Sequence, residues 1–60
     1  MLPSDAAMLL SVVNMKLRDN YASFGELCDD LEENAEKIEA RLAAIGYRYD
    51  AEENRFVARE

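Results

Sequence analysis

Residues 23–57 read SFGELCDDLEENAEKIEARLAAIGYRYDAEENRFV, and this segment carries the signals of two helices and a hairpin. Ser23 and Glu26 have the spacing of a capping box, which predicts that a helix begins there. Asn34 can cap a second helix, and Gly46 can end it because glycine adopts a left-handed conformation at little steric cost. Apolar residues recur at helical spacing in both segments: Phe24, Leu27, Cys28 and Leu31 in the first, and Ala35, Ile38, Leu42 and Ile45 in the second.

The residues after Gly46 alternate between inward and outward positions, as in a half-buried hairpin. We expect Tyr49 to pair with Phe56, which turns both rings toward the helical core. The same register places Tyr47 opposite Ala58 and Asp50 opposite Arg55. The chain, residues 1–60, is therefore predicted to form one mainly α domain. It has three helices and a C-terminal two-stranded hairpin, in a helix-turn-helix or winged-helix-like arrangement.

The first helix is expected to run from Ala6 to about Asp19, after Ser4 and Asp5, which can cap it. Its apolar side chains cover an arc of about 220°, whereas a surface helix needs a stripe only somewhat wider than about 100°. The helix is therefore either the central post of the domain or, in part, an interface, and both alternatives remain open. The candidate interface residues are Met8, Leu9, Leu10 and Val13.

Methionine side chains are adaptable, so one hypothesis is that Met1, Met8 and Met15 form a binding surface. Met8 and Met15 lie one heptad apart on the first helix, beside other apolar residues. Packing in the core is the default expectation for them. The width of the apolar arc still leaves self-association open.

The chain is short and acidic, with 60 residues and a formal net charge of −6. A domain of this size buries only about 60% of the surface of its unfolded chain, so association with another chain is one route to added stability. The acids concentrate in residues 26–41, where seven of them stand against two bases. Such a surface repels a polyanion, because nucleic-acid affinity comes largely from neutralised phosphates.

The single cysteine and the absence of histidine limit the chemistry of the chain. One cysteine cannot form an internal disulfide, and the usual zinc sites lack their ligands. Cys28 has no histidine to form its thiolate, so we interpret it as a small apolar core residue. Asp50, Glu52 and Asn54 have the first spacings of a calcium loop, but Arg55 stands where that loop requires glycine. We expect no enzyme activity, no metal site and no cofactor.

The start of the chain lacks the basic and apolar regions of a signal peptide. Its apolar stretch is interrupted by polar residues and is too short to span a membrane. One free cysteine fits a reducing compartment better than a secreted protein. We therefore expect a cytoplasmic protein without a membrane contact or a small-molecule substrate.

The helix pair matches the core positions of a helix-turn-helix unit, which raises the question of DNA binding. Glu32 stands where glycine commonly makes the turn, and Glu33 where an apolar residue commonly fills the core. Glutamate also lies in the middle of the exposed face of the second helix, where a recognition helix presents basic or amide side chains. Nucleic-acid binding is therefore not favoured. The candidate contacts are Lys37, Arg41, Arg48 and Arg55.

Several blocks distributed over nearly the whole chain form a recognisable pattern. They are MLPSD at 1–5, MLLSVVNMKLRD at 8–19, ELCDDL at 26–31, IGY at 45–47, Tyr49-Asp50, Asn54 and Phe56. In these blocks the chain resembles a family of short bacterial proteins of unknown function. The resemblance implies a small bacterial cytoplasmic protein, and it implies no activity, ligand or partner.

The function predicted from these features is a non-enzymatic module that binds itself or a protein partner. The wide apolar arc of the first helix, the acidic helix pair and the lack of catalytic chemistry support it. The alternative is a winged-helix-type, transcription-associated DNA-binding protein that uses Arg48 and Arg55 and dimerises to gather enough charge. A third alternative is an acidic mimic of nucleic acid that occupies a basic protein surface.

Overall fold

The computed structural model describes residues 2–59, so Met1, the first residue of the opening motif, and Glu60, the last of the predicted domain, lie outside the described residues. The described chain forms three helices followed by a two-stranded antiparallel hairpin. The elements are α1 (Ala6–Asp19), α2 (Phe24–Leu31), α3 (Ala35–Ala43), β1 (Tyr47–Asp50) and β2 (Arg55–Ala58). The prediction of three helices and a C-terminal hairpin is confirmed.

Each helix begins after a residue that was predicted to cap it, with Asp5 rather than Ser4 in this role for α1. The capping bonds join Asp5 Oδ1 to the Met8 amide (3.0 Å), Ser23 Oγ to the Glu26 amide (3.1 Å) and Asn34 Oδ1 to the Lys37 amide (3.0 Å). Glu26 also reaches back and accepts from the amide of Ala22 at 3.2 Å. The three capping bonds satisfy amides that the first turn of a helix leaves without a partner.

The turn between α2 and α3 uses glutamate in a conformation that glycine usually adopts. Glu32 ends α2 with a left-handed backbone, φ 56°. The amide of Glu33 then donates to the carbonyl of Cys28 at 2.8 Å and closes the turn. A left-handed residue other than glycine costs roughly 1–2 kcal/mol, which explains why glycine is common at this position in other proteins.

α3 ends two residues earlier than predicted. The helix ends at Ala43, and the next residues form tight turns with bonds from Ile45 N–H to the Leu42 carbonyl and from Gly46 N–H to the Ala43 carbonyl. Gly46 has φ 86°, as its predicted role requires. The placement of Ile45 in the apolar stripe of α3 is wrong: the residue is 40% exposed, because the chain has already left the helix to enter the hairpin.

The hydrophobic core draws on all three helices and on β2. Its buried members are Leu9, Val13, Leu17, Phe24, Leu27, Cys28, Ile38, Leu42 and Phe56. The three from α1 lie four residues apart and so share one flank of that helix. α1 contacts α2, α3 and β2, and along this flank it is the central post of the domain.

The hairpin has the predicted register, with Tyr49 opposite Phe56. The remaining pairs are Tyr47 with Ala58, Arg48 with Val57, and Asp50 with Arg55. The ring of Phe56 lies 5.4 Å from that of Tyr49 and 5.0 Å, edge to face, from that of Phe24. This aromatic cluster seats the hairpin on the helices.

Candidate interaction surfaces

The four candidate interface residues of α1 lie in different environments. Leu9 and Val13 are wholly buried in the core of the domain, so they have no area to offer a partner. Leu10 is half-buried against the same core. Met8, in contrast, is 60% exposed. The surface that α1 can offer is therefore centred on Met8 and excludes the two core residues.

Met8, Val12 and Met15 follow one another at spacings of four and three residues, so their side chains adjoin along one flank of α1. We call these three residues the methionine stripe. Met15 is 47% exposed and Val12 is half-buried. The expectation that both methionines pack in the core is wrong, because the other elements cover the flank of α1 that carries its three buried residues.

Arg41, one of the candidate nucleic-acid contacts, is occupied within the fold. Its guanidinium donates to the carbonyl of Pro3 at 3.3 Å and to the carbonyl of Ser4. These bonds hold the segment before α1 against α3. An arginine used in this way has donors committed to the chain itself, so it is less available to a phosphate.

The other three candidate cations are Lys37, Arg48 and Arg55, and all are exposed. Arg55 pairs with Glu53, with Nη1 and Oε1 3.1 Å apart, and it also lies opposite Asp50. Within residues 2–59, Lys37 and Arg48 form no ion pair. Lys37 and Arg48 are thus the candidate cations without an ion pair in the described chain, whereas residues 26–41 carry seven acids and two bases. This balance of charge does not favour contact with a polyanion.

Asn14, which joins α1 to the hairpin, was not identified from the sequence as a functional residue. Its Oδ1 accepts from the Phe56 amide at 2.8 Å, and its Nδ2 donates to the Phe56 carbonyl at 3.1 Å. The side-chain amide thus binds the edge of β2 as a neighbouring strand would. A lone asparagine within a largely apolar helix is the signal that could have found it.

Asn54 ties the hairpin turn to the end of α1. It has a left-handed backbone, φ 56°, and its Nδ2 donates to the carbonyls of Leu17 (3.2 Å) and Tyr21 (2.9 Å). Its Oδ1 accepts from the Tyr49 hydroxyl at 2.6 Å. Asp50 accepts from two amides within the same turn. These bonds account for Asp50 and Asn54, two of the three residues whose spacing partly matched a calcium loop.

Cys28 is buried on α2 and makes an inert thiol. Burial raises the pKa of the Cys28 thiol, and the nearby carboxylates of Glu33 and Glu39 raise it further. A thiol held protonated in this way is a poor nucleophile. Among the described residues, no group of three or more acidic or cysteine side chains is placed to hold a metal ion.

An open cleft of about 650 Å³ separates α1 from the hairpin turn. It is lined by Ser11, Asn14, Met15, Leu17, Arg18, Glu53, Asn54 and Arg55. Arg18 pairs with Asp19 at 2.9 Å, Arg55 pairs with Glu53, and the two asparagines bind main-chain groups. The arginines, the asparagines and Glu53 of this cleft therefore already have partners within the domain, whereas ligand pockets present polar groups that converge on a ligand.

A family model matches residues 3–56, a range that holds the three helices and most of the hairpin. Its description is a domain of unknown function, DUF4250. The chain belongs to this family. The predicted membership of a family of unknown function is thereby confirmed. No curated protein and no solved structure matches this DUF4250 chain. Over residues 2–59, none of its helices has both the length and the apolar character needed to cross a bilayer.

Proposed function

We propose that this DUF4250 domain is a non-enzymatic protein-interaction module that binds a partner protein through the methionine stripe of α1. The observation that carries the proposal is the exposure of Met8, at 60%, and of Met15, at 47%, on one flank of the same helix. A partner would cover this apolar surface, which the domain itself leaves in water.

The spacing of the stripe favours a helix or groove as its complement. Single apolar residues on a surface need no explanation, but Met8, Val12 and Met15 adjoin and form a continuous strip. An amphipathic helix binds through residues at this spacing. Methionine side chains, which are flexible and polarizable, suit a surface that adapts to its partner.

The charge of the domain favours a partner of net positive charge. The net charge of −6 is concentrated in residues 26–41. Opposite net charges speed association and disfavour partners of the wrong sign. The same distribution disfavours duplex DNA. No observation favours the third alternative, the nucleic-acid mimic, over an ordinary acidic surface.

The proposed setting is the cytoplasm, because the one cysteine, Cys28, is buried and unpaired. A thiol of raised pKa gives no nucleophile, and the amides and ion pairs described above have structural partners. These features support a role in binding rather than in catalysis.

A photoreactive methionine analogue tests this proposal directly at the stripe. The cells that make the protein incorporate the analogue in place of methionine. Irradiation is expected to give a discrete adduct, mapped by mass spectrometry to Met8 or Met15. The variant Met8→Glu keeps a probe at Met15 but places a charge in the stripe. Its adduct is expected to fall at least tenfold, since a charge buried without a partner costs several kcal/mol.

Ala7→Glu is the matched control, because Ala7 is exposed in the same first turn of α1 but outside the stripe. It introduces the same charge and is expected to leave the adduct unchanged. An adduct that survives Met8→Glu, or one that Ala7→Glu abolishes equally, would contradict the proposal. So would the absence of any adduct at both methionines.

A further inference from the structure

The hydrogen bonds of Asn14 determine which way the main-chain groups of the hairpin point. Because Asn14 binds both the N–H and the C=O of Phe56, these two groups point away from β1. Opposite residues in an antiparallel pair alternate between hydrogen-bonded and non-hydrogen-bonded. Tyr49 and Phe56 therefore form a non-hydrogen-bonded pair, and the main-chain groups of Tyr49 point to the outer edge of β1.

A second bond agrees with this alternation. Arg59 donates from its amide to the carbonyl of Gly46 at 2.7 Å, which makes the position just before β1 a hydrogen-bonded one. Tyr47, one residue later, then points its N–H and C=O to the outer edge as well. Within residues 2–59, no hydrogen bond reaches the main-chain N–H or C=O of Tyr47 or Tyr49.

We infer that the outer edge of β1 pairs with β1 of a second copy, antiparallel about a two-fold axis at Tyr49, to form a four-stranded sheet. Tyr49 of the two copies would exchange both main-chain bonds in this register. Arg48 of each copy would lie opposite Asp50 of the other, in a non-hydrogen-bonded pair where side chains approach most closely. An unpaired strand edge is a template for this kind of association.

The charges of β1 select a second copy as the occupant. Arg48 and Asp50 lie on the outer face of the hairpin, two residues apart and on opposite sides of Tyr49. When β1 pairs antiparallel with β1 of a second copy about Tyr49, Arg48 of each copy lies opposite Asp50 of the other. The dimer therefore contains two pairs of opposite charge. Directly opposed unlike charges stabilise such a pair, and like charges destabilise it.

The helices of the two copies do not oppose this arrangement electrostatically. α3 contacts β1, so α3 of each copy would approach its counterpart behind the joined strands. α3 carries two acids and two bases and is neutral overall. The repulsion between the two acidic copies is weak at physiological salt, where charges more than about 8 Å apart are largely screened.

The strand has only four residues, so the dimer is expected to be weak. We expect a dissociation constant of roughly 10 μM to 1 mM, as for a small and transient contact. This inference does not rest on the methionine stripe, which lies on a different element.

Solution NMR over a series from 20 μM to 2 mM protein, at about physiological salt, tests the pairing. We expect the Tyr49 amide proton to become protected from solvent exchange as concentration rises. The Phe56 amide, which is bound to Asn14 within one copy, is the internal reference and is expected to stay protected throughout. In a mixed-label sample, the α protons of Arg48 and Asp50 are expected to show an intermolecular contact.

Arg48→Glu replaces both attractive pairs of the dimer by repulsive ones, and we expect its dissociation constant to rise about tenfold or more. Arg18→Glu makes the same charge change at an exposed position near the end of α1, the helix that contacts β2, and it is expected to leave the constant nearly unchanged. A monomer up to 2 mM would overturn the inference. So would a dimer whose Tyr49 amide still exchanges freely, or one that Arg48→Glu and Arg18→Glu weaken equally.

Discussion

Asn14→Ala is expected to destabilise the domain more than its exposure suggests, because the side chain supports a strand far away in sequence. The variant removes both bonds to Phe56, which lies 42 residues further along the chain. The remaining methyl group leaves the N–H and the C=O of Phe56 facing α1 without a partner. Loss of both bonds also loosens the hold of α1 on β2.

The magnitude follows from the two main-chain groups. A buried polar group left unsatisfied costs roughly 1–3 kcal/mol. The site is only part-buried, so water can reach it in part, and we expect a combined loss of about 2–4 kcal/mol. A domain of 60 residues has a total free energy of unfolding of roughly 3–9 kcal/mol. The loss is therefore a large fraction of the whole.

Thermal and urea unfolding followed by circular dichroism measure this effect. At about 4–8 °C per kcal/mol, the midpoint is expected to fall by roughly 10–30 °C. Ser11→Ala, at an exposed position of the same helix, is the control and is expected to change little. Asn14→Asp keeps an acceptor for the Phe56 amide but loses the donor, so its unfolding midpoint is expected to lie between those of Ser11→Ala and Asn14→Ala. If Asn14→Ala melts within about 3 °C of Ser11→Ala, the strand-like role of this amide is refuted.

Two further predictions concern the hairpin and the buried thiol. Tyr49→Phe removes a hydroxyl that donates to Asn54 and accepts from the first amide of α2, and it is expected to cost about 1–3 kcal/mol in urea unfolding. Tyr47→Phe is its control, since the Tyr47 hydroxyl makes no hydrogen bond within residues 2–59, and equal losses would contradict the prediction. The folded pKa of Cys28 is raised, so its contribution to stability is complete below the unfolded pKa of about 8.5 and is lost as pH rises through the folded value. Stability is therefore expected to fall above about pH 8.5 more steeply in the native protein than in Cys28→Val, and identical pH profiles would refute this.

Local signals account for the parts of the fold that could be predicted. Helix caps such as Ser23 and Asn34 act on amides three residues away, and the hairpin register follows from which side chains can face a core. Asn14 and Asn54 act across 42 and 37 residues, so no periodicity reveals their partners. The prediction that Met8 and Met15 pack in the core is wrong for another reason. Helical spacing shows which residues share a flank of α1, but not which flank the rest of the chain covers.

The exposure of the methionine stripe follows from a shortage of covering surface. α1 is apolar over most of its circumference, and α2, α3 and β2 contact it over only part. The hairpin takes the flank marked by Asn14, because that amide can satisfy an open strand edge and an aliphatic side chain cannot. Met8 and Met15 remain as surplus apolar surface. Because they support little of the core, replacing them is expected to change stability by no more than about 0.5 kcal/mol. Any larger effect of such a replacement in the cell would therefore have to arise from binding rather than from folding.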